Sequence, residues 1–163
     1  MGTHFDGTAG EIRALDAFIK LMRAANSVRA HLEPHLRSLG MTEKQLGVLE
    51  ALMHLGPMRQ HELGTKLLAS RANITLIVDE LSRRGLVRRE RQADDRRCIR
   101  VHLTAEGRRR IRAVFPEHVA LIVSTLSSLN AQEQKQLGRL CRKLGLALAE
   151  PSAVAPRRTE TVR

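Results

Sequence analysis

The sequence predicts a mainly helical fold that carries one small β-hairpin, and three observations predict it. Apolar residues recur at three- and four-residue spacing through most of the 163 residues, and several of these runs open on a capping residue or close on glycine. Two short runs, 87 to 91 and 98 to 103, read instead as extended strands, with Gln92-Ala93-Asp94-Asp95-Arg96-Arg97 turning between them. The charge gathers at the same place. Residues 83 to 112 hold twelve arginines and no lysine against four acids, so +8 of the formal net charge of +11 falls in thirty residues. A helix, a tight turn, a second helix and then an arginine-tipped hairpin is the layout of a winged helix-turn-helix.

Each element has its own signal. Residues 1–9 are polar and glycine-containing and are expected to fray. In residues 10–41, Ile12, Leu15, Phe18, Ile19, Met22, Ala25, Val28 and Leu32 hold a helical period, Pro34 kinks or restarts it, and Gly40 ends it. A helix this apolar needs a partner beyond a small core. Thr42-Glu43-Lys44-Gln45 forms a capping box, and the helix it opens runs through Leu46, Leu49, Leu52, Met53 and Leu55 to Gly56-Pro57. A short helix is expected from about Arg59 to Leu68, with Leu63 and Leu67 inward. Ala69-Ser70 then turns into the next helix, with Ser70 as N-cap and Ile74, Ile77, Val78 and Leu81 as its apolar stripe. Gly85 sits where a helix end favours a left-handed residue.

The domain with the helix-turn-helix and hairpin spans residues 42–104. Thr104 caps a long helix with Ile111, Val114, Phe115, Val119, Ile122, Leu126 and Leu129, and Pro116 inside it implies a bend. Asn130-Ala131-Gln132-Glu133 is a further capping box, opening a last helix with Leu137, Leu140, Cys141, Leu144 and Leu148. These two helices make up residues 105–149. Residues 150–163 hold too little apolar content to fold and are expected to be a disordered tail.

Composition narrows the function class. Hydrophobic residues at 42% and charged residues at 28% are ordinary for a globular domain. No apolar run approaches a membrane span and the N-terminus does not read as a signal peptide, so a cytoplasmic protein is expected. Clustered arginine suits phosphate oxygens and base edges. With no Trp, no Tyr and three Phe, stacking on unpaired bases has little material, which favours duplex DNA over single strands. Enzyme motifs are absent: there is no phosphate-cradling glycine loop and no nucleophile elbow.

Asp95-x-Arg97, followed after five residues by Leu103-Thr104 and then by Gly107, resembles the wing signature of the MarR family of bacterial transcription regulators. Arg84 to Glu90 (RGLVRRE) and Glu62-Leu63-Gly64 are similar to the same family, and the match covers roughly residues 10 to 148. The resemblance implies a homodimeric winged helix-turn-helix protein whose N- and C-terminal helices form the dimer. It further implies a sequence-specific duplex DNA-binding regulator, a repressor released by a small-molecule effector and reading a pseudo-palindromic operator. The stretches SRANITLIVDELSRRGLVRRE and VFPEH are similar to a subgroup that responds to phenolic or quinone-like compounds.

The residues carried over from that resemblance are Ser70, Arg71, Ala72, Asn73, Thr75 and Leu76 on the recognition helix and Asp95, Arg96 and Arg97 at the wing. Arg71 would fork onto guanine, and Asn73 would bond adenine or phosphate, or merely support the cap. Asp95 would aim Arg97 into the minor groove, or the two would form only a surface ion pair. Arg88, Arg89 and Arg108 are expected to touch phosphate or nothing. An effector would sit among Phe18, Met22, Met53, His54, Phe115 and His118, where aromatic and thioether surface meets two polar groups. The alternative for His54 and His118 is a hydrogen-bonded core histidine.

Two other readings stay open. The same arginines would suit a non-specific architectural DNA-binding protein, and Cys98, flanked by Arg96, Arg97 and Arg100, would suit a redox sensor. No cofactor or metal is expected. His31 and His35 have i, i+4 spacing, but Pro34 lies between them and Glu33 alone adds a ligand.

Overall fold

The computed structural model describes residues 4–91 and 99–149, so the wing tip with Asp95, Arg96, Arg97 and Cys98, and the tail, lie outside the described residues. The chain divides into two compact units, Met1–Thr125 and Leu126–Arg163. Among the described residues, no helix is long and apolar enough to cross a membrane.

The first unit opens on α1 (Ala9–Ser38), which starts earlier than its apolar period because Thr8 and Glu11 form a capping box. The Thr8 amide donates to Glu11 Oε2 at 2.9 Å. The helix continues through Pro34 and ends before Gly40, whose φ of 61° lies in the left-handed region. Two guanidiniums from elsewhere finish that end. Arg84 Nη1 donates to the Gly40 carbonyl at 2.8 Å, and Arg110 Nη2 donates to the Leu39 carbonyl at 2.8 Å. Cations there satisfy orphan carbonyls and oppose the negative end of the helix dipole.

Helix α2 (Glu43–Leu55) has the capping box of Thr42 and Gln45, and Leu46, Val48, Leu49, Ala51 and Leu52 bury one side of it. Strand β1 (Met58–Arg59) follows Gly56, and α3 (Gln60–Lys66) is shorter at both ends than the apolar period suggests. At its start, Met58 and Arg59 are taken into sheet pairing. At its end, Leu68 adopts φ 48°, the Leu68 amide donates to the Thr65 carbonyl and the Ala69 amide to the Gly64 carbonyl. That is a Schellman stop with leucine where glycine is usual. The next helix can then approach closely: a Cβ on Gly64 would lie 3.4 Å from Ile74 Cγ2.

Helix α4 (Arg71–Arg83) buries Ile74, Ile77, Val78 and Leu81, the four residues of its predicted stripe. Strands β2 (Val87–Arg91) and β3 (Ile99–Leu103) pair antiparallel, with Val87 opposite Leu103, Arg89 opposite Val101 and Arg91 opposite Ile99. Strand β1 adds to the other side of β3, giving the order β1-β3-β2. Helix α5 (Ala105–Thr125) starts at Thr104, whose Oγ1 accepts from the Gly107 amide at 3.0 Å and donates to the Gly85 carbonyl at 2.7 Å. The core unites α1 near Leu36, the inner faces of α2, α3 and α4, the sheet at Val87 and Val101, and α5 at Ile111 and Val114.

The second unit contains α6 (Ala131–Ala149), opened by reciprocal bonds between Asn130 and Glu133. Leu137, Leu140, Leu144 and Leu148 stand exposed along it.

Candidate nucleic-acid interface and effector region

Burial splits α4 into two faces. Its apolar stripe faces the core, so Arg71, Ala72, Leu76 and Asp79 face outward. Ser70 caps the helix by accepting the Asn73 amide at 3.2 Å. That bond uses the Asn73 main chain and leaves its side chain out of the cap. Leu76 is 69% exposed, an apolar surface on a helix whose other outward residues are polar or small. Small, polar and one methyl-rich side chain on the first turns of an exposed helix suit close approach to a major groove, where thymine presents a methyl group.

Thr75 behaves differently from its neighbours. Its hydroxyl donates to the Arg71 carbonyl at 2.9 Å and accepts from Gln60 Nε2 at 2.7 Å. The hydroxyl's one proton and an acceptor site are therefore used inside the protein.

Arg89 also departs from its expected surface role. Alternation along β2 sets it on the same side as Val87 and Val101, the side that meets α4. Its guanidinium bonds Asp79 Oδ1 of α4, reaches the Thr75 carbonyl at 3.4 Å, and its Nε donates to Gln60 Oε1 at 3.3 Å. Arg88 points to the other side of the strand and pairs with Glu90, whose carboxyl its hydrogen bond and charge hold below the usual carboxylate range. His102 Nε2 lies 3.4 Å from the same Glu90 carboxylate. Arg108 is exposed on the second turn of α5. An open groove of about 450 Å³ runs between the start of α2 and α4, lined by Lys44, Gln45, Asn73, Leu76 and Ile77 among others.

Of the six effector candidates, the structure brings His54 and Phe115 together, with ring centroids 5.6 Å apart at 56°. Met53 and Phe115 are partly buried against the core. His118 is buried at 8% exposure and stacks on His35, a neighbour that the periodicity did not single out. Phe18 and Met22 stand on α1 at 59% and 43% exposure. Among the described residues, no group of three or more His, Cys, Asp or Glu could hold a metal ion. Cys141 is free and exposed on α6.

Residues 41–99 match the model of the MarR family. The chain is similar to MhqR, an HTH-type transcriptional regulator of Bacillus subtilis (strain 168), at 31% identity over 134 residues, 82% of this chain and 92% of that protein. Its structure is similar to that of a MarR family transcriptional regulator from Streptomyces coelicolor in complex with DNA. The TM-score is 0.79 and the identity 27%, over 93% of this chain and 95% of the other. It is also similar to BpsR of Bordetella bronchiseptica, whose DNA binding is regulated by 6-hydroxynicotinic acid. There the TM-score is 0.71 and the identity 25%, over 78% of this chain and 97% of the other.

Proposed function

The chain belongs to the MarR family of transcription regulators, and on that premise we propose a homodimeric repressor that reads a pseudo-palindromic operator and releases it on binding a small aromatic effector. The observation that carries the DNA half is the division of α4: a fully apolar inner stripe fixes the helix, and Arg71, Ala72 and Leu76 are left outward. In a dimer, two such helices would lie about one DNA turn apart, ~34 Å, in adjacent major grooves. Arg97, aimed by Asp95, would enter the flanking minor groove, where arginine is attracted by the narrow groove's negative potential, and Arg96 beside it would contact phosphate.

Dimerisation is supported by apolar side chains that one copy leaves exposed. Leu137, Leu140, Leu144 and Leu148 recur at three- and four-residue spacing on α6, and Phe18, Leu21 and Met22 stand exposed on α1. Apolar stripes of that period bury themselves against another helix. The occupant proposed is a second copy of the same chain.

The effector half is supported by aromatic and thioether surface on α1, α2 and α5 and by the regulation of the similar protein BpsR by a hydroxylated aromatic acid. A compound bound there would act only through its differential affinity for two spacings of the recognition helices.

Sedimentation and competition binding test the proposal together. The expected result is a dimer at micromolar concentration whose affinity for a selected operator exceeds that for unrelated duplex at least ~10³-fold. Replacing Leu140 and Leu144 by Glu should give monomers and remove operator binding. A monomeric wild type, or a specificity ratio near one, would contradict it, and the second outcome would favour an architectural protein.

A further inference from the structure

We propose that Arg89 is a positioning residue for operator recognition: it does not touch DNA but clasps the first strand of the wing to the outward side of α4, and the same clasp removes Thr75 from base readout. The inference rests on α4 being the helix that enters the major groove.

The geometry carries it. Arg89 is a wing-strand residue whose side chain, only 28% exposed, lies on the sheet face of Val87 and opposite Val101. There it meets three groups from two other elements: the Asp79 carboxylate, the Thr75 carbonyl and the Gln60 amide oxygen. Gln60 in turn donates to the Thr75 hydroxyl at 2.7 Å. One guanidinium thus joins β2, α3 and α4. Its planar fork makes these bonds in fixed directions, which a lysine ammonium would not reproduce.

Two consequences follow for DNA. A guanidinium committed to Asp79 has little charge to offer phosphate, although Arg89 lies in the arginine-rich run. What it sets is the angle between the wing and α4, and so whether base contacts and minor-groove contacts are made at once. A ~1 Å misplacement of positioned groups is enough to lose much of an interaction. Thr75, for its part, has spent its hydroxyl on Arg71 and Gln60.

The test is a salt titration of binding to a duplex that the wild-type protein selects from a random-sequence library. The proteins compared are the wild type, Arg89→Ala, Asp79→Ala and the double variant, each checked by thermal unfolding. Arg89→Ala should weaken binding about tenfold, equivalent to ~1.4 kcal/mol, with the slope of log affinity on log salt unchanged. A lost phosphate contact would instead reduce that slope by about 0.9. Asp79→Ala removes a negative charge beside the DNA and by charge alone would tighten binding; the clasp requires it to weaken. The double variant should be no weaker than the singles, because all three remove one network.

A slope reduced by about 0.9 in Arg89→Ala, tighter binding by Asp79→Ala, or additive losses would overturn the proposal. If Arg89→Ala fails to fold, Asp79→Ala carries the same test with the same opposed outcomes, and Asp79→Asn, which keeps an acceptor oxygen for the guanidinium, should bind more tightly than Asp79→Ala. Thr75→Val should select the same sequence as the wild type, and an altered preference would overturn its part. The reading of α4 fails separately, if Arg71→Ala leaves the selected sequence unchanged.

Discussion

The imidazoles of His35 and His118 stack, with ring centroids 5.6 Å apart and planes 13° from parallel, tying the last turns of α1 to the middle of α5. Neither His35 Nε2 nor His118 Nδ1 meets a hydrogen-bond partner among the described residues. The acids nearby are Glu117, 3.8 Å from His35 Nδ1, and Glu43, which also pairs with Arg29 at 3.7 Å. Burial pushes the His118 imidazole below its ordinary value, the adjacent His35 adds to that, and Glu43 opposes it.

The sign of the resulting pH dependence is fixed. Above the unfolded value of ~6.5, His118 is neutral in both states and its contribution to stability is complete. As pH falls through ~6.5 the unfolded chain takes up the proton first, so stability is lost until the lower folded value is reached. The wild-type Tm should therefore fall between pH 7.5 and pH 5.5, and His118→Leu should show a shallower fall. An identical pH slope in the two proteins would show that His118 does not contribute to the pH dependence of stability.

Gly107 gives a stability prediction of unusual sign. Replacing a helical glycine by alanine ordinarily stabilises by up to ~1 kcal/mol. Here an added Cβ would lie 1.9 Å from the Leu86 carbonyl oxygen and 2.9 Å from its carbon. That carbonyl also accepts from the Thr104 amide at 3.1 Å, so the backbone at the joint of β2 and α5 cannot give way freely. Gly107→Ala should destabilise by about 3 kcal/mol, the upper end of overpacking costs. Denaturant unfolding measures it, and a stabilised variant would show that the joint is looser than described.

The effector prediction concerns His54 and Phe115, whose rings meet at 5.6 Å. In operator release titrated with hydroxylated aromatic acids, His54→Ala and Phe115→Ala should require about tenfold more compound, ~1.4 kcal/mol of lost affinity. Operator affinity without the compound should stay within about threefold of the wild type, since neither residue lies on α4. Wild-type sensitivity in both variants would put the pocket elsewhere.

Local signals in the chain translate directly into this structure. Thr42 and Gln45, Asn130 and Glu133, and Ser70 make the capping bonds that their spacing implies, because each bond needs only three or four consecutive residues. Gly40, Gly56 and Gly85 all take positive φ at helix ends. The apolar stripe of α4 and the five residues of β2 were equally legible. What escaped was short or long-range. A two-residue strand such as Met58–Arg59 has no period of its own, and it exists because β3 lies beside it. The Thr8–Glu11 box was hidden in a polar, glycine-containing segment. Arg89 looked like one more phosphate ligand, since Asp79 and Gln60 are 10 and 29 residues away. Alternation from Val87 does place it inward, and that was the available signal.

Selection of duplexes from a random-sequence library by the intact protein decides whether the chain reads DNA as a two-fold symmetric dimer. A dimer reading DNA through two copies of α4 should enrich an inverted repeat with half-site centres about 10 base pairs apart, and Arg71→Ala should change the preferred bases within each half. Enrichment of no sequence, or of a motif without two-fold symmetry, would contradict it.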